Sequence, residues 1–263
     1  MRRPPSPPPG SPDWASVEHW QDREGRLAGY GDAARGWLHL PGVGTFRFGP
    51  DAIELSAEPD VGQDAIEDAH RRLALPLVLT ALGHQVLHGS AVLMRAGVVA
   101  LCAPSGAGKS TLAYAFTRRG FRAWADDAVA LEPSEPVPLV IPLPFELRLR
   151  KESKAHFSVD GSATARTEPT QAALPLAAVC ILERGGVRRP RLRRCPPAEA
   201  FRAVLAHAYS FGLVDEARRR KMVDRYLAVA SAVPVFRVTV PDRLEDVDST
   251  LDAIEDAVAS SAG

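Results

Sequence analysis

Residues 88–127 read HGSAVLMRAGVVALCAPSGAGKSTLAYAFTRRGFRAWADD. "HGSAVLM" and "GVVALCA" are two apolar runs separated by "RAG", which is hairpin spacing. "KSTLAYAFTRRG" has the spacing of a helix that stops at Gly120, and "FRAWADD" reads as the strand after it. Between the second strand and the helix lies "APSGAGKS", Ala103 to Ser110. It has the phosphate-loop pattern with alanine in place of the first glycine. Gly106 and Gly108 let the backbone turn its N–H groups inward, and the helix adds the positive end of its dipole. A loop of this kind is expected to hold a polyphosphate against Ser105, Gly106, Ala107 and Gly108. Lys109 would reach the β- and γ-phosphates and Ser110 would be a magnesium ligand. Thr111, the next helix residue, joins this set or caps the helix.

The loop alone does not say what is done with the phosphate, because motors, switches, transporters and kinases all use it. Asp126 and Asp127 narrow the choice. They end the strand after the loop's helix, 17 residues beyond Lys109. That strand is expected to lie parallel beside the loop strand, so that both carboxylates face the bound phosphates. One would hold magnesium and the other would accept a proton from an attacking hydroxyl. His88 stands 21 residues before Lys109 and opens the partner strand. Gly89 beside it allows close backbone approach, which would bring the imidazole toward the same crevice.

Around this centre the chain is ordinary in composition. It has 263 residues, 46% hydrophobic and 24% charged, with zero net charge. That balance gives no bulk electrostatic reason to expect nucleic acid or a membrane surface. Cys102, Cys180 and Cys195 lack metal-ligand spacing and are expected to be reduced thiols. The start, "MRRPPSPPPGSP", has prolines where a signal peptide has its apolar region, and the longest apolar runs are too short to span a bilayer. The expectation is a cytoplasmic protein.

Residues 1–13 are expected to be a disordered Pro-rich tail. Residues 14–83 are expected to form a small β-rich α+β domain. In it "WLHL", "GTFRFG" and "AIELSA" alternate as strands, and "GQDAIEDAHRRLALPLVLTALG" is a helix kinked at Pro76 and stopped at Gly83. Residues 84–263 are expected to be the α/β domain that carries the loop. Its later strands are "PLPFELRLRKES", "LAAVCILERGG" and "VPVFRVTVP". Its later helices are "PAEAFRAVLAHAYSFG", "DEARRRKMVDRYLAVASA" and "RLEDVDSTLDAIEDAVAS".

The order "LHGSAV", "APSGAGKST", "GFRAWADD", with its two spacings, resembles the catalytic domain of the HPr serine kinase/phosphorylase family and its shorter relatives, among them the serine kinases of peptide clusters. The resemblance is strong over about residues 87 to 131 and loose from there to the C-terminus. It implies a P-loop kinase fold, also likened to phosphoenolpyruvate carboxykinase, that uses ATP and Mg2+ and transfers phosphate to a serine hydroxyl. By position it makes Asp126 the acid/base residue, Asp127 a metal carboxylate and His88 a phosphate-proximal residue. Lys109 belongs to the same catalytic set. Arg148, in "ELR", echoes a family Glu-x-Arg segment and becomes a candidate phosphate or acceptor contact. The family's longer signature is absent, since the chain reads "RLRKES" there.

Residues 184–225 carry twelve Lys/Arg against four Asp/Glu, and residues 51–69 carry seven acids and no Lys/Arg. "RRPRLRR" at 188–194 reads as an exposed hairpin or loop. If the basic region docks an acceptor, an acidic peptide or protein segment is the natural partner. It lacks the interleaved aromatics that nucleic acid would require. A homo-oligomer is left open. The readings kept beside the serine kinase are a small-molecule P-loop kinase and a nucleotide-binding regulator without transfer activity.

Overall fold

Alternating apolar residues in the first part of the chain form an antiparallel five-stranded meander: β1 (Glu18–Gln21), β2 (Leu27–Tyr30), β3 (Gly36–Leu40), β4 (Gly44–Phe48) and β5 (Ile53–Ala57). Trp37, Leu38, Leu40, Phe46 and Phe48 are buried, and they are the apolar positions of "WLHL" and "GTFRFG". A helical stretch follows, made of α1 (Gln63–Ala69), a π-type turn (His70–Ala74) and α2 (Leu75–Ala81). Pro76 has no N–H to give the preceding turn, and the helix widens just before it rather than breaking. The computed structural model describes residues 18–21, 27–30, 36–49, 52–159, 166–167, 172–209 and 216–261. The tail expected over 1–13 lies outside the described residues.

The chain divides into two compact units, Met1–His84 with Ser210–Met222, and Gln85–Tyr209 with Val223–Gly263. The second unit begins with the hairpin of β6 (Gln85–Met94) and β7 (Gly97–Cys102), which pair antiparallel from Met94↔Gly97 to Gly89↔Cys102. After the glycine loop come α3 (Lys109–Arg118), β8 (Arg122–Ala125), β9 (Ala128–Glu132), β10 (Leu139–Ile141) and the two-residue β11 (Phe145–Glu146). Then follow α4 (Lys151–His156), β12 (Arg166–Thr167), β13 (Leu174–Arg184), β14 (Arg191–Arg194), α5 (Pro197–Leu205), α6 (Glu216–Ala232), β15 (Val235–Val240) and α7 (Val247–Ser261).

The central sheet has the order β10-β9-β6-β7-β13-β15-β14, with β8 also on β6. The strands β7, β13 and β15 are parallel. β10 pairs with both β9 and the start of β13, so the sheet curls back on itself at that end.

Two sequence expectations need correction. The strand after α3 is not a parallel neighbour of β7, because β6 lies between them and pairs antiparallel with each. The segment "PLPFELRLRKES" is not one strand. Only Phe145 and Glu146 pair, and the chain then turns into α4. Within the exposed hairpin or loop expected at 188–194, Arg191–Arg194 form an edge strand antiparallel to β15.

The core lies where α3 and α7 cover the sheet. Leu112, Ala113 and Phe116 of α3 and Leu251, Ile254 and Val258 of α7 pack with Val99, Leu101, Cys180 and Val238. Each large side chain buried in this way contributes about 1.5–3 kcal/mol. Arg119 ties the two helices together at Asp248 (2.9 Å), Asp252 (2.6 Å) and Glu255 (3.0 Å). The buried Tyr226 of α6 holds the start of β6, its hydroxyl donating to the Val86 carbonyl at 2.8 Å and accepting its N–H at 3.0 Å. Cys102, Cys180 and Cys195 are buried thiols, and burial pushes Cys102 up to about 12. No helix among the described residues is long and apolar enough to cross a membrane.

Candidate functional site

The carboxyl end of β7 leads into the glycine loop. Gly108, at φ 105°, makes the left-handed turn that starts α3. That turn points Lys109 back into the loop, where its ammonium donates to the carbonyls of Ala103 (2.9 Å) and Pro104 (3.4 Å). The Lys109 residue is only 7% exposed. Burial pulls its pKa below the usual lysine range. Among the described residues no carboxylate lies within ion-pair distance of it. Asp126 and Asp127 act on it only at a distance, and a buried ammonium without a direct ion pair fits an anionic ligand in this loop.

Gly89 sets the approach of β6. A β-carbon there would lie 2.8 Å from the Leu101 carbonyl, so only glycine fits. The next residue, Ser90, donates to Asp126 Oδ1 at 2.5 Å, and Ser110 of the loop donates to the same oxygen at 2.9 Å. Asp126 and Asp127 occupy a break between β8 and β9, which both pair with β6. Asp127 is at φ 64°, in the left-handed region that aspartate tolerates better than most residues. β8 runs in the same direction as β7, roughly 10 Å away across β6. The aspartates therefore end beside the loop, although the two strands are not neighbours.

Burial pushes the Asp126 carboxyl up to about 6. The charge of Asp127 adds to the rise, while hydrogen bonds from Ser90, Ser110 and the Arg148 N–H oppose it.

His88 bridges the two halves of the site. Its Nδ1 is 3.1 Å from the Asp127 carbonyl and its Nε2 is 3.3 Å from Lys109 Nζ. A carbonyl only accepts and an ammonium only donates, so the neutral imidazole carries its proton on Nδ1 and accepts from Lys109 through Nε2.

The structure thus brings Lys109, Ser110, Asp126 and His88 together, with Asp127 alongside. Thr111 turns aside, and its hydroxyl lies 2.9 Å from that of Ser153 in α4. The Arg148 guanidinium pairs with Glu146 at 3.1 Å. A different arginine lies over the loop. Nη1 and Nη2 of Arg150 are 3.1 and 3.2 Å from where a β-carbon on Gly106 would sit. The Arg150 guanidinium has no hydrogen bond or ion pair among the described residues, and its charge is felt by Lys109. In "ELRLR" the two arginines fall on the same side of any strand, so sequence spacing could not separate them.

The oxygens of Ser110 and Asp126 are of the kind magnesium prefers. It usually takes one or two protein oxygens and completes its shell with water and phosphate. No group of three or more His, Cys, Asp or Glu among the described residues could hold a metal by itself.

No family model matches the chain, and no curated protein matches it. Among solved structures the chain is similar to the Hpr(Ser) kinase/phosphatase from Coxiella burnetii. Identity is 10%, the match covers 67% of this chain and 98% of that one, and the TM-score is 0.37. At that distance the reading of the site rests on its own geometry.

Proposed function

We propose that this protein is an ATP- and magnesium-dependent kinase that transfers the γ-phosphate to a serine hydroxyl of a peptide or protein. The reading is carried by one observation: the loop hydroxyl of Ser110 shares Asp126 Oδ1 with Ser90, while Lys109 is buried beside His88, near both carboxylates but in no direct ion pair with either. A site built only to bind a nucleotide needs the loop. A carboxylate pair set against the loop's metal-side hydroxyl also supplies what hydroxyl phosphorylation requires.

Lys109 would neutralise the transferring phosphate, and the Arg150 guanidinium would reach it from above the loop. A magnesium ion held there would supply positive charge against the charge that develops on the phosphate. Ser110 and Asp126 are the residues to hold it. The hydrogen bond between them favours Asp126 for the metal side and leaves the more exposed Asp127 for the acceptor proton, the reverse of the roles implied by family position. His88, locked by Asp127 and Lys109, would position the ammonium. The exposed arginines of β14, three strands from β7, would meet a part of the acceptor remote from the reacting serine. That geometry suits a macromolecular acceptor better than a small molecule. Single-turnover transfer from Mg–ATP with the Asp126→Asn and Asp127→Asn proteins tests the assignment. Asp127→Asn should bind nucleotide and fail in transfer, and Asp126→Asn should lose magnesium-dependent binding. Wild-type behaviour in both would remove the reading.

A further inference from the structure

β14 closes one end of the central sheet, and among the described residues it pairs with β15 alone. The phase of that pairing decides which backbone groups are left over. The Cys195 N–H donates to Val235 O at 2.8 Å. Opposite residues of an antiparallel pair exchange hydrogen bonds at every second position. Cys195, Arg193 and Arg191 therefore turn their N–H and C=O toward β15, while Leu192 and Arg194 turn theirs outward. The next outward positions are Pro190 and Pro196, which have no N–H. The open ladder is thus short and bounded by prolines on both sides.

The side chains alternate as the backbone does. Leu192 packs against the core under α7, and on the other face Arg193 is held by Glu199 at 2.6 Å. Arg188, Arg189, Arg191 and Arg194 are exposed, and their guanidiniums make no hydrogen bond or ion pair among the described residues. These unpaired cations around one short edge repel a second β14 and favour a strand that carries carboxylates.

We propose that the open edge of β14 binds an acidic, extended segment of the acceptor as an added antiparallel strand. What that segment belongs to rests on the kinase reading. Main-chain bonds to Leu192 and Arg194 would give affinity, and the arginines would select for acid. Register places Cys102, Ile181, Arg237 and Arg193 on one line across the sheet. Cys102 leads into the glycine loop, and β14 runs opposite to β7, so the Arg191 end of β14 lies on the loop's side of that line. A strand antiparallel to β14 runs toward the same rim and leaves it by its carboxyl end. Four strand spacings of about 4.8 Å separate β14 from β6. That span, roughly 19 Å, takes about six extended residues. The acceptor serine should therefore follow its acidic segment by about six residues.

The test uses the full chain and a labelled peptide in which glutamate and valine alternate over about five residues, with a serine about six residues later. Fluorescence anisotropy without ATP reads docking alone. Arg191→Gln with Arg194→Gln should weaken binding roughly three- to tenfold. Charge attraction without strand addition would do the same, so the peptide backbone supplies the second readout. N-methylation of alternate peptide residues should weaken binding by about tenfold in one phase and by less than about twofold in the other. No binding by the wild-type protein, unchanged affinity in the double variant, or equal losses in both phases overturns strand addition. With Mg–ATP added, the serine should be phosphorylated more slowly when the spacer is cut to about two residues. Alternating N-methyl sensitivity with an unmodified serine would keep the docking edge and remove the kinase reading. Phosphate transfer that ignores N-methylation would do the reverse.

Discussion

Replacing Asp126 with asparagine should stabilise the protein while removing its function. The carboxyl is 8% exposed, and its pKa is raised from the ordinary 3.8 to about 6, chiefly by burial. That rise is worth about 3 kcal/mol between the charged and neutral forms. In the unfolded chain the carboxyl loses its proton near its ordinary value. Between about pH 4 and 6 the folded protein therefore holds a proton the unfolded chain has released, and stability falls as pH rises through that window. Above it the cost of the buried charge is complete. An asparagine oxygen still accepts from Ser90 and Ser110 but carries no charge. Asp126→Asn should gain up to about 3 kcal/mol at roughly pH 8, a rise in melting temperature of about 6–12 °C. The gain should shrink to nothing below about pH 3, where the wild-type carboxyl is protonated in both states. Thermal or urea unfolding across this range measures it. A gain of equal size at every pH, or no gain at about pH 8, would refute the account of Asp126 as a buried charge kept for a ligand.

Lys109→Ala should reduce phosphoryl transfer by roughly two orders of magnitude or more in steady-state kinetics, because it removes the loop's buried cation; near-normal turnover by the folded variant contradicts its role. Arg150→Gln should weaken Mg–ATP by roughly tenfold, with Arg150→Lys recovering part of the loss, because a charge-assisted phosphate contact is worth about 1.5–3 kcal/mol. Unchanged nucleotide affinity would make its position over Gly106 incidental. Replacing Arg191 and Arg194 with glutamine should raise the acceptor's KM and flatten its salt dependence without altering ATP binding; unchanged acceptor kinetics would leave the β14 arginines as a solvated edge.

The part of the fold that local patterning governs was legible in the sequence. The β6–β7 hairpin, the loop and α3 each follow from residues within a few positions of one another. Strand order was not legible, because it depends on which apolar faces meet across the whole sheet. β6 interposes itself between β7 and β8 through pairings tens of residues apart, and nothing in "FRAWADD" announces them. The aspartates nevertheless reach the loop, since β8 keeps the direction expected for it. Ser90 was hidden for a similar reason. A serine in an apolar strand looks like a packed hydroxyl until the break at Asp126–Asp127 falls opposite it. Arg150 was concealed by the short β11 and the turn into α4, which rotate it away from Arg148 and over Gly106.

The central claim is that the crevice phosphorylates a hydroxyl. Incubating the protein with γ-labelled ATP, magnesium and a library of serine-containing peptides, followed by mass spectrometry, tests it most directly. The account predicts that one phosphate is transferred to serine in a subset of acidic peptides, that ADP appears in equal amount, and that both are lost with Lys109→Ala and Asp127→Asn. ATP bound or hydrolysed with no phosphate on any peptide hydroxyl, or transfer that survives both substitutions, would contradict it.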